Sequence, residues 1–99
     1  MQEKRRHFRK SANFAVEFSV AQGAREGGAC RDFSLGGMNI QTAKPAPFGA
    51  NVTLYLPLAQ GVGPVPGIVR WIKAGEMGVQ FGLLGARETY ALTEMLTAP

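Results

Sequence analysis

Residues 13–20 read Asn-Phe-Ala-Val-Glu-Phe-Ser-Val, with an apolar side chain at every second position. In an extended chain the two phenylalanines and the two valines therefore share one side, opposite Glu17 and Ser19. Alternation with this period is typical of a β-strand that is buried on one face. The stretch predicts a half-buried strand over residues 13–20, and similar patterns recur along the chain.

Five more segments show short alternating or apolar patterns, and glycines and prolines separate them. We predict further strands over residues 29–33, 38–42, 52–58, 67–74 and 77–81. The last segment differs, because residues 87–96 lack Gly and Pro and place Ala91, Leu92, Met95 and Leu96 on one helical stripe. Six short strands spaced by about ten residues predict an all-β fold, a six-stranded antiparallel β-barrel with a C-terminal α-helix.

Four aromatic residues occupy alternating strand positions beside aliphatic residues: Phe14, Phe18, Trp71 and Phe81. Large apolar side chains at such positions are usually buried. We therefore expect all four in the barrel core rather than on a ligand-binding surface.

The length of 99 residues allows one domain with its own hydrophobic core. Hydrophobic residues make up 45% of the chain and charged residues 18%, a composition that excludes a disordered chain and a helical membrane protein. The charged residues 1–6 are not followed by an apolar segment, so we expect no secretory signal and a cytoplasmic location.

The chain has one cysteine, Cys30, and one histidine, His7. Cys30 has no partner for an internal disulfide, and the two residues together are too few for a zinc or iron cluster, so we interpret Cys30 as a small buried residue. His7 lies in a basic segment and forms no credible triad with a serine, cysteine or acid. We expect neither a cofactor nor a metal, and no enzymatic activity.

Positive charge is concentrated near the N-terminus. The net charge is +4, and five cations lie between positions 4 and 10: Lys4, Arg5, Arg6, Arg9 and Lys10. Such a run fits a solvated tail, a phosphate or nucleic-acid contact, or a contact with anionic lipid. Because the segment has no apolar periodicity and its like charges repel one another, we predict a flexible basic arm over residues 1–12.

Residues 32–37, Asp-Phe-Ser-Leu-Gly-Gly, place an acid, a hydroxyl and two glycines between two predicted strands. Paired glycines suit a tight connection that needs a positive φ and a close backbone approach. By itself the stretch is typical of a hairpin turn with a solvated aspartate. Strand alternation puts Cys30, Asp32 and Ser34 on one face of the chain.

Two arginines of the arm, Arg5 and Arg9, carry groups that complement this stretch. Their spacing of four keeps them on the same side of an extended or a helical segment, so both can bind one ligand. A guanidinium binds phosphate or the O6/N7 edge of guanine, whereas Asp32 can accept hydrogen bonds from guanine N1–H and N2–H. Ser34 can add a hydroxyl contact, and Gly37 lets the backbone approach a ligand without a Cβ in the way.

The two stretches together resemble the signature of the PilZ domain family, R-x-x-x-R in the N-terminal segment and D/N-x-S-x-x-G on the barrel. Here they read Arg5-Arg6-His7-Phe8-Arg9 and Asp32-Phe33-Ser34-Leu35-Gly36-Gly37. The similarity extends through Trp71 and Gly78-Val79-Gln80-Phe81 across nearly the whole chain. It implies a PilZ-like barrel with a terminal helix over residues 13–99, preceded by the arm of residues 1–12.

The resemblance implies a bacterial receptor for cyclic di-GMP, the second messenger that controls motility, biofilm formation and exopolysaccharide production. By position, Arg5 and Arg9 would bind its phosphates and guanine faces, with Arg6 assisting them. Asp32 and Ser34 would read a guanine edge, and Gly37 would keep the floor of the site clear: the full predicted site is Arg5, Arg6, Arg9, Asp32, Ser34 and Gly37. Ligand binding would order the arm and so change contacts with an unidentified downstream protein.

Two other functions remain open on the sequence. The first is a ligand-independent adaptor of the same fold, whose basic arm binds an acidic protein surface. The second is a small barrel that binds single-stranded nucleic acid, which usually needs exposed aromatic residues among the basic ones. Because the aromatic residues are predicted to be buried and the cations lie in one tail, we expect no nucleic-acid polymer as a partner.

Overall fold

The computed structural model describes residues 10–21, 23–57 and 64–97. This part of the chain forms six strands followed by one helix. The strands are β1 (Lys10–Val20), β2 (Glu26–Phe33), β3 (Gly37–Gln41), β4 (Asn51–Tyr55), β5 (Val65–Lys73) and β6 (Glu76–Phe81), and the helix is α1 (Ala86–Thr97).

The six strands form a closed barrel in the order β1-β2-β3-β6-β5-β4. Every neighbouring pair is antiparallel. The barrel closes where Glu17 to Val20 of β1 pair with β4, and closure removes the free sheet edges that an open sheet would expose. The predicted antiparallel barrel with a C-terminal helix is confirmed. No helix among the described residues is long and apolar enough to span a membrane.

Alternate side chains of the strands fill the barrel interior, and α1 packs against the same core. Phe18 and Leu54 are almost completely buried between the strands, and Leu92 and Leu96 of α1 join their cluster. The predicted helical stripe is confirmed, because Leu92 and Leu96 are buried and Met95 is half-buried against the core. Burial of one leucine side chain contributes about 1.5–3 kcal/mol, so these side chains hold α1 on the barrel.

The first strand begins at Lys10 rather than at Asn13. Residues 10–12 therefore belong to the barrel and not to the predicted arm of residues 1–12. Lys10 pairs with Phe33 of β2, and its Nζ donates a hydrogen bond to the backbone oxygen of Met95 near the end of α1, at 3.0 Å. These contacts explain why the strand extends into the basic segment. Residues 1–9 lie outside the described part, so a flexible arm there stays a prediction.

The second strand also begins earlier than predicted, at Glu26 within a glycine-rich stretch that suggested a turn. Gly27 and Gly28 pair with Glu17 and Val16 of β1. Glycine has low strand propensity, but here the long partner strand supplies the pairing. Tertiary pairing thus overrides the local turn signal.

A β-bulge in β5 changes the side of the barrel on which Trp71 lies. The β5–β6 ladder shifts between Val69 and Trp71, so Arg70 is the extra residue and Trp71 pairs with Gly78. Trp71 thereby moves to the outer face, where it is 37% exposed. The prediction that Trp71 belongs to the core is wrong, because a bulge reverses the inward and outward positions that follow it.

The three phenylalanines of the predicted core lie in or against it. Phe18 and Phe81 are buried. Phe14 is half-buried and packs edge-on against Phe33, with 5.7 Å between ring centres. An edge-on pair at this distance is a favourable aromatic arrangement, so Phe14 adds to the core from its rim.

Candidate ligand-binding site

A row of residues crosses the outer face of the barrel at the level of Asp32. Strand register pairs Ser11 with Asp32, Asp32 with Asn39, Asn39 with Gly78, and Gly78 with Trp71. Residues directly opposite one another in antiparallel strands share a face, with their Cβ atoms about 4.5–5.5 Å apart. The row therefore brings one residue from each of five strands to a single surface.

A shallow cavity of about 320 Å³ opens on this row. Its wall consists of the turn after β2, the start of β3, the bulged part of β5 and the facing part of β6. The lining residues are Ser34, Gly36, Gly37, Met38, Asn39, Arg70, Trp71, Gly78, Val79 and Gln80. The cavity thus joins Ser34 and Gly37 of the predicted site to residues that are distant in sequence.

Asp32 reaches the outer face because of a second bulge. The β2–β3 ladder shifts between Cys30 and Asp32, which leaves Arg31 as the extra residue. Cys30 is fully buried, whereas Asp32 is half-buried opposite Asn39. The expectation that Cys30 and Asp32 share one face is therefore wrong. The Cys30 thiol donates a hydrogen bond to the backbone oxygen of Asp32 at 3.4 Å, so the buried cysteine supports the strand segment that presents the carboxylate.

Ser34 builds the turn that follows β2. Its side chain is 1% exposed, and its Oγ accepts a hydrogen bond from the backbone N–H of Gly36 at 3.0 Å. The Ser34 N–H donates to the backbone oxygen of Gly37 at 2.9 Å. A serine that bonds the backbone two residues ahead is a common turn-forming element. Its observed contacts are structural, and a direct contact between Ser34 and a ligand stays a prediction.

The paired glycines of this turn show the predicted close backbone approach but not the predicted positive φ. Among the described glycines only Gly49 and Gly75 have a positive φ, so Gly36 and Gly37 need no left-handed conformation. An ideal Cβ on Gly37 would instead overlap the backbone oxygen of Val79 in β6. Glycine at position 37 is thus required by the close approach of β6. The backbone of Gly37 lines the cavity, and its contact with a ligand remains a prediction.

Two residues of the row, Asn39 and Trp71, flank Gly78 on the outer face. The Asn39 side-chain oxygen, Oδ1, is buried and has no hydrogen-bond partner within the described part of the chain. The indole of Trp71 lies where a Cβ on Gly78 would stand, so the ring covers that glycine. Lys73 Nζ lies 5.5 Å from the centre of the ring. An unsatisfied acceptor and an aromatic ring with a lysine cation over its face therefore lie on either side of Gly78.

Arg70, the bulged residue of β5, adds a positive charge to the cavity. Its Nε–H donates a hydrogen bond to the side-chain oxygen of Gln80 at 2.7 Å. Gln80 in turn pairs with Gly37 of β3 in the strand register. The guanidinium is therefore hydrogen-bonded to β6, the strand that pairs with β3 at the predicted site.

Sequence reasoning missed these contributions from β3, β5 and β6. Asn39, Arg70 and Gln80 belong to no motif, and the alternation placed Trp71 in the core. The one available signal was the cluster Arg70-Trp71 in a strand that precedes Gly78, but without the register nothing connects it to Asp32. Residues of different strands meet only after the ladder is known.

The predicted arginines Arg5, Arg6 and Arg9 lie outside the described residues, so their part in the site stays a prediction. Chain connectivity still limits where the arm is attached. Lys10 pairs with Phe33, which lies between Asp32 and Ser34. The segment that carries the arginines therefore joins the barrel beside the turn of the predicted site.

Comparison with known proteins identifies the fold. The family model of the PilZ domain matches residues 3–97. No curated protein matches the chain significantly in sequence.

Three solved structures resemble it closely in fold. The PilZ domain of CeSA from a cellulose-synthesizing bacterium aligns with a TM-score of 0.74 and 18% identity over 90% of this chain and 94% of that chain. The PilZ domain of YcgR from Escherichia coli, solved with cyclic di-GMP, gives 0.74 and 21% over 95% and 89%. The Bacillus subtilis inhibitor of motility, MotI/DgrA, gives 0.69 and 18% over 96% of this chain and 50% of that chain.

Proposed function

This chain belongs to the PilZ domain family, and we propose that it is a receptor for cyclic di-GMP rather than an enzyme. One observation carries the proposal. The connection between β2 and β3 brings Asp32, Ser34 and Gly37 together beside the point where the chain enters β1, next to a cavity on the outer face. The YcgR PilZ domain of the same fold was solved with this ligand, which supports the choice of nucleotide.

Each part of the ligand has a matching group in the proposed site. The carboxylate of Asp32 accepts hydrogen bonds from guanine N1–H and N2–H. The indole of Trp71 gives a guanine base a surface for stacking, a contact worth about 1–3 kcal/mol per base. Arg5, Arg6 and Arg9 bind the phosphates and the guanine faces as charge-assisted donors. The barrel thus reads the edge of the base, and the arm binds the phosphates and the faces of the guanines.

The signal follows from the arm. Bound cyclic di-GMP relieves the repulsion between the cations of the arm and orders it against the barrel. The ordered arm and ligand then present a new surface to a downstream protein in the cytoplasm, with motility, biofilm formation or exopolysaccharide production as the output. Because ordering costs free energy that ionic contacts must exceed, affinity falls as the salt concentration rises.

Isothermal titration calorimetry tests the site. We expect Asp32→Ala and Arg9→Ala each to weaken cyclic di-GMP binding by about 1–3 kcal/mol while the circular dichroism spectrum stays unchanged. Glu17→Ala and Arg25→Ala are matched controls, because these residues form an exposed ion pair of 3.1 Å that does not line the cavity. A folded Arg9→Ala variant that binds as tightly as the wild type would refute the arm assignment.

Titration with cyclic di-AMP tests the reading of the base. Adenine lacks the N1–H and N2–H donors that Asp32 accepts, so we expect cyclic di-AMP to bind much more weakly. Equal affinity for the two dinucleotides would show that the base is not read in this way.

A ligand-independent adaptor is the alternative function. Leu83 is 96% exposed and Phe48 is 71% exposed, and exposed apolar side chains are available for contacts with another protein. If micromolar cyclic di-GMP produces neither heat nor a shift in melting temperature, the adaptor function is favoured over the receptor.

A further inference from the structure

The structure points to a ligand-binding arginine that lies on the barrel itself. Resting on the proposed function, we propose that Arg70, held in place by Gln80, donates a pair of hydrogen bonds to cyclic di-GMP. The acceptors are two neighbouring atoms, either the O6 and N7 of a guanine or the oxygens of a phosphate. Arg70 belongs to neither of the two motifs in the sequence.

The bulge of β5 brings Trp71 to the outer face, where Arg70 already lies. Regular alternation would place one residue of β5 opposite each residue of β6, but Arg70 is an extra residue between the pairs Val69–Val79 and Trp71–Gly78. Bulges of this kind turn a side chain toward a new direction and are frequent next to functional sites. Here the bulge puts a guanidinium and an indole next to each other in the wall of one cavity.

Gln80 fixes the orientation of the guanidinium. Its side-chain oxygen accepts the Nε–H of Arg70 at 2.7 Å, and it is the only hydrogen-bond partner of Arg70 within the described part of the chain. Both Nη groups are therefore left to donate. An arginine bound through Nε keeps the end-on pair of donors that matches a guanine edge or a phosphate in bidentate fashion. Gln80 acts as a positioning residue for this pair.

The barrel contains a second arginine with nearly the same local structure, which serves as an internal control. Arg31 is the extra residue of the β2 bulge, and its Nη1 donates to the side-chain oxygen of Gln41 at 2.9 Å. Both pairs are exposed and span ten positions in sequence. Arg31, however, does not line the cavity. Removing Arg31 therefore takes away the same charge and the same kind of pair without touching the proposed contact.

Calorimetric titration of the full chain with cyclic di-GMP tests the assignment. We expect Arg70→Met to raise the Kd about tenfold and Arg31→Met to change it less than about twofold, since a bidentate contact is lost only in the first. Gln80→Leu should raise the Kd about threefold, and adding it to Arg70→Met should have no further effect, because Gln80 acts only through Arg70. Equal effects of Arg70→Met and Arg31→Met, or additive effects of the two cavity variants, would overturn the proposal.

Binding by the wild type and by Arg70→Met separates the role of Arg70 from the proposed receptor function. If the wild type does not bind cyclic di-GMP, the proposed receptor function is refuted. If Arg70→Met binds as tightly as the wild type, only the role of Arg70 is refuted. A 7-deaza analogue, which lacks guanine N7 but keeps both phosphates, identifies the acceptor. If Arg70 contacts the base, Arg70→Met weakens the analogue less than it weakens cyclic di-GMP; if it contacts a phosphate, both weaken equally.

Discussion

Replacing Gly37 with alanine tests whether this glycine is required by strand packing rather than by a ligand. An ideal Cβ on Gly37 overlaps the backbone oxygen of Val79 and lies 3.1 Å from the Cα of Gln80. Both atoms belong to the backbone of β6, so rotation of a side chain cannot make room. The methyl group must therefore push β3 and β6 apart.

The expected cost follows from the interactions near the new methyl group. Overpacking a filled site costs about 1–3 kcal/mol, and each weakened backbone hydrogen bond adds about 0.5–1.5 kcal/mol. Two such bonds flank the site, from Phe81 N to Gly36 O and from Ser34 N to Gly37 O, each 2.9 Å long. We expect Gly37→Ala to lower the free energy of unfolding by about 3 kcal/mol, a large share of the roughly 5–15 kcal/mol of a typical domain.

Urea denaturation followed by circular dichroism measures this loss, with Gly27→Ala as the matched control. Gly27 also lies in a strand, but a Cβ there meets nothing within 4 Å, and its φ is not positive. We expect Gly27→Ala to be stabilising by about 0.5 kcal/mol, because alanine loses less backbone entropy on folding. A Gly37→Ala transition that coincides with that of the wild type would refute the packing argument.

The remaining predictions concern the row and the exposed face of α1. Asn39→Leu should raise the free energy of unfolding by about 1 kcal/mol in urea denaturation, because it removes a buried oxygen without a partner in the described structure; a lower stability would contradict this. Gly78→Ala should displace the Trp71 indole and shift its fluorescence emission to the red; an unchanged spectrum would show that the ring does not lie there. A hydrogen bond to Glu94 raises the pKa of Tyr90 above its usual value. The contribution of this hydrogen bond to stability is therefore complete below the pKa of Tyr90 in the unfolded chain, and it is lost as pH rises through the pKa in the folded protein. Glu94→Gln should return the pKa of Tyr90 to about 10 in an NMR titration; an unchanged midpoint would exclude Glu94 as the cause.

The fold could be predicted from the sequence because each strand carries its own period-two pattern. The predicted alternation holds in β1 as far as Phe18, but the prediction is wrong at the end of the strand, where Ser19 is buried and Val20 is exposed. The bulges could not be predicted, because one extra residue leaves the local composition unchanged but reverses the facing of everything after it. The alternation therefore predicts Trp71 in the core and Asp32 on the face of Cys30, and both predictions are wrong.

The candidate site could be predicted only where its residues are close in sequence. Asp32, Ser34 and Gly37 lie within six positions, so one turn brings them together. Asn39 and Arg70 approach them only through the register of β3, β5 and β6, which the sequence does not encode locally. The strand that approaches Gly37 could not be predicted either, because β6 follows much later in the chain.

The row from Ser11 to Trp71 has a consequence for the lifetime of the protein. Because its members come from five of the six strands, the surface exists only while the barrel is closed. A ligand bound there raises the free energy of global unfolding, by about 2.7 kcal/mol when the ligand concentration is a hundred times the Kd. Proteases that digest the open chain would then degrade it more slowly. The abundance of the protein would thus rise with the concentration of such a ligand.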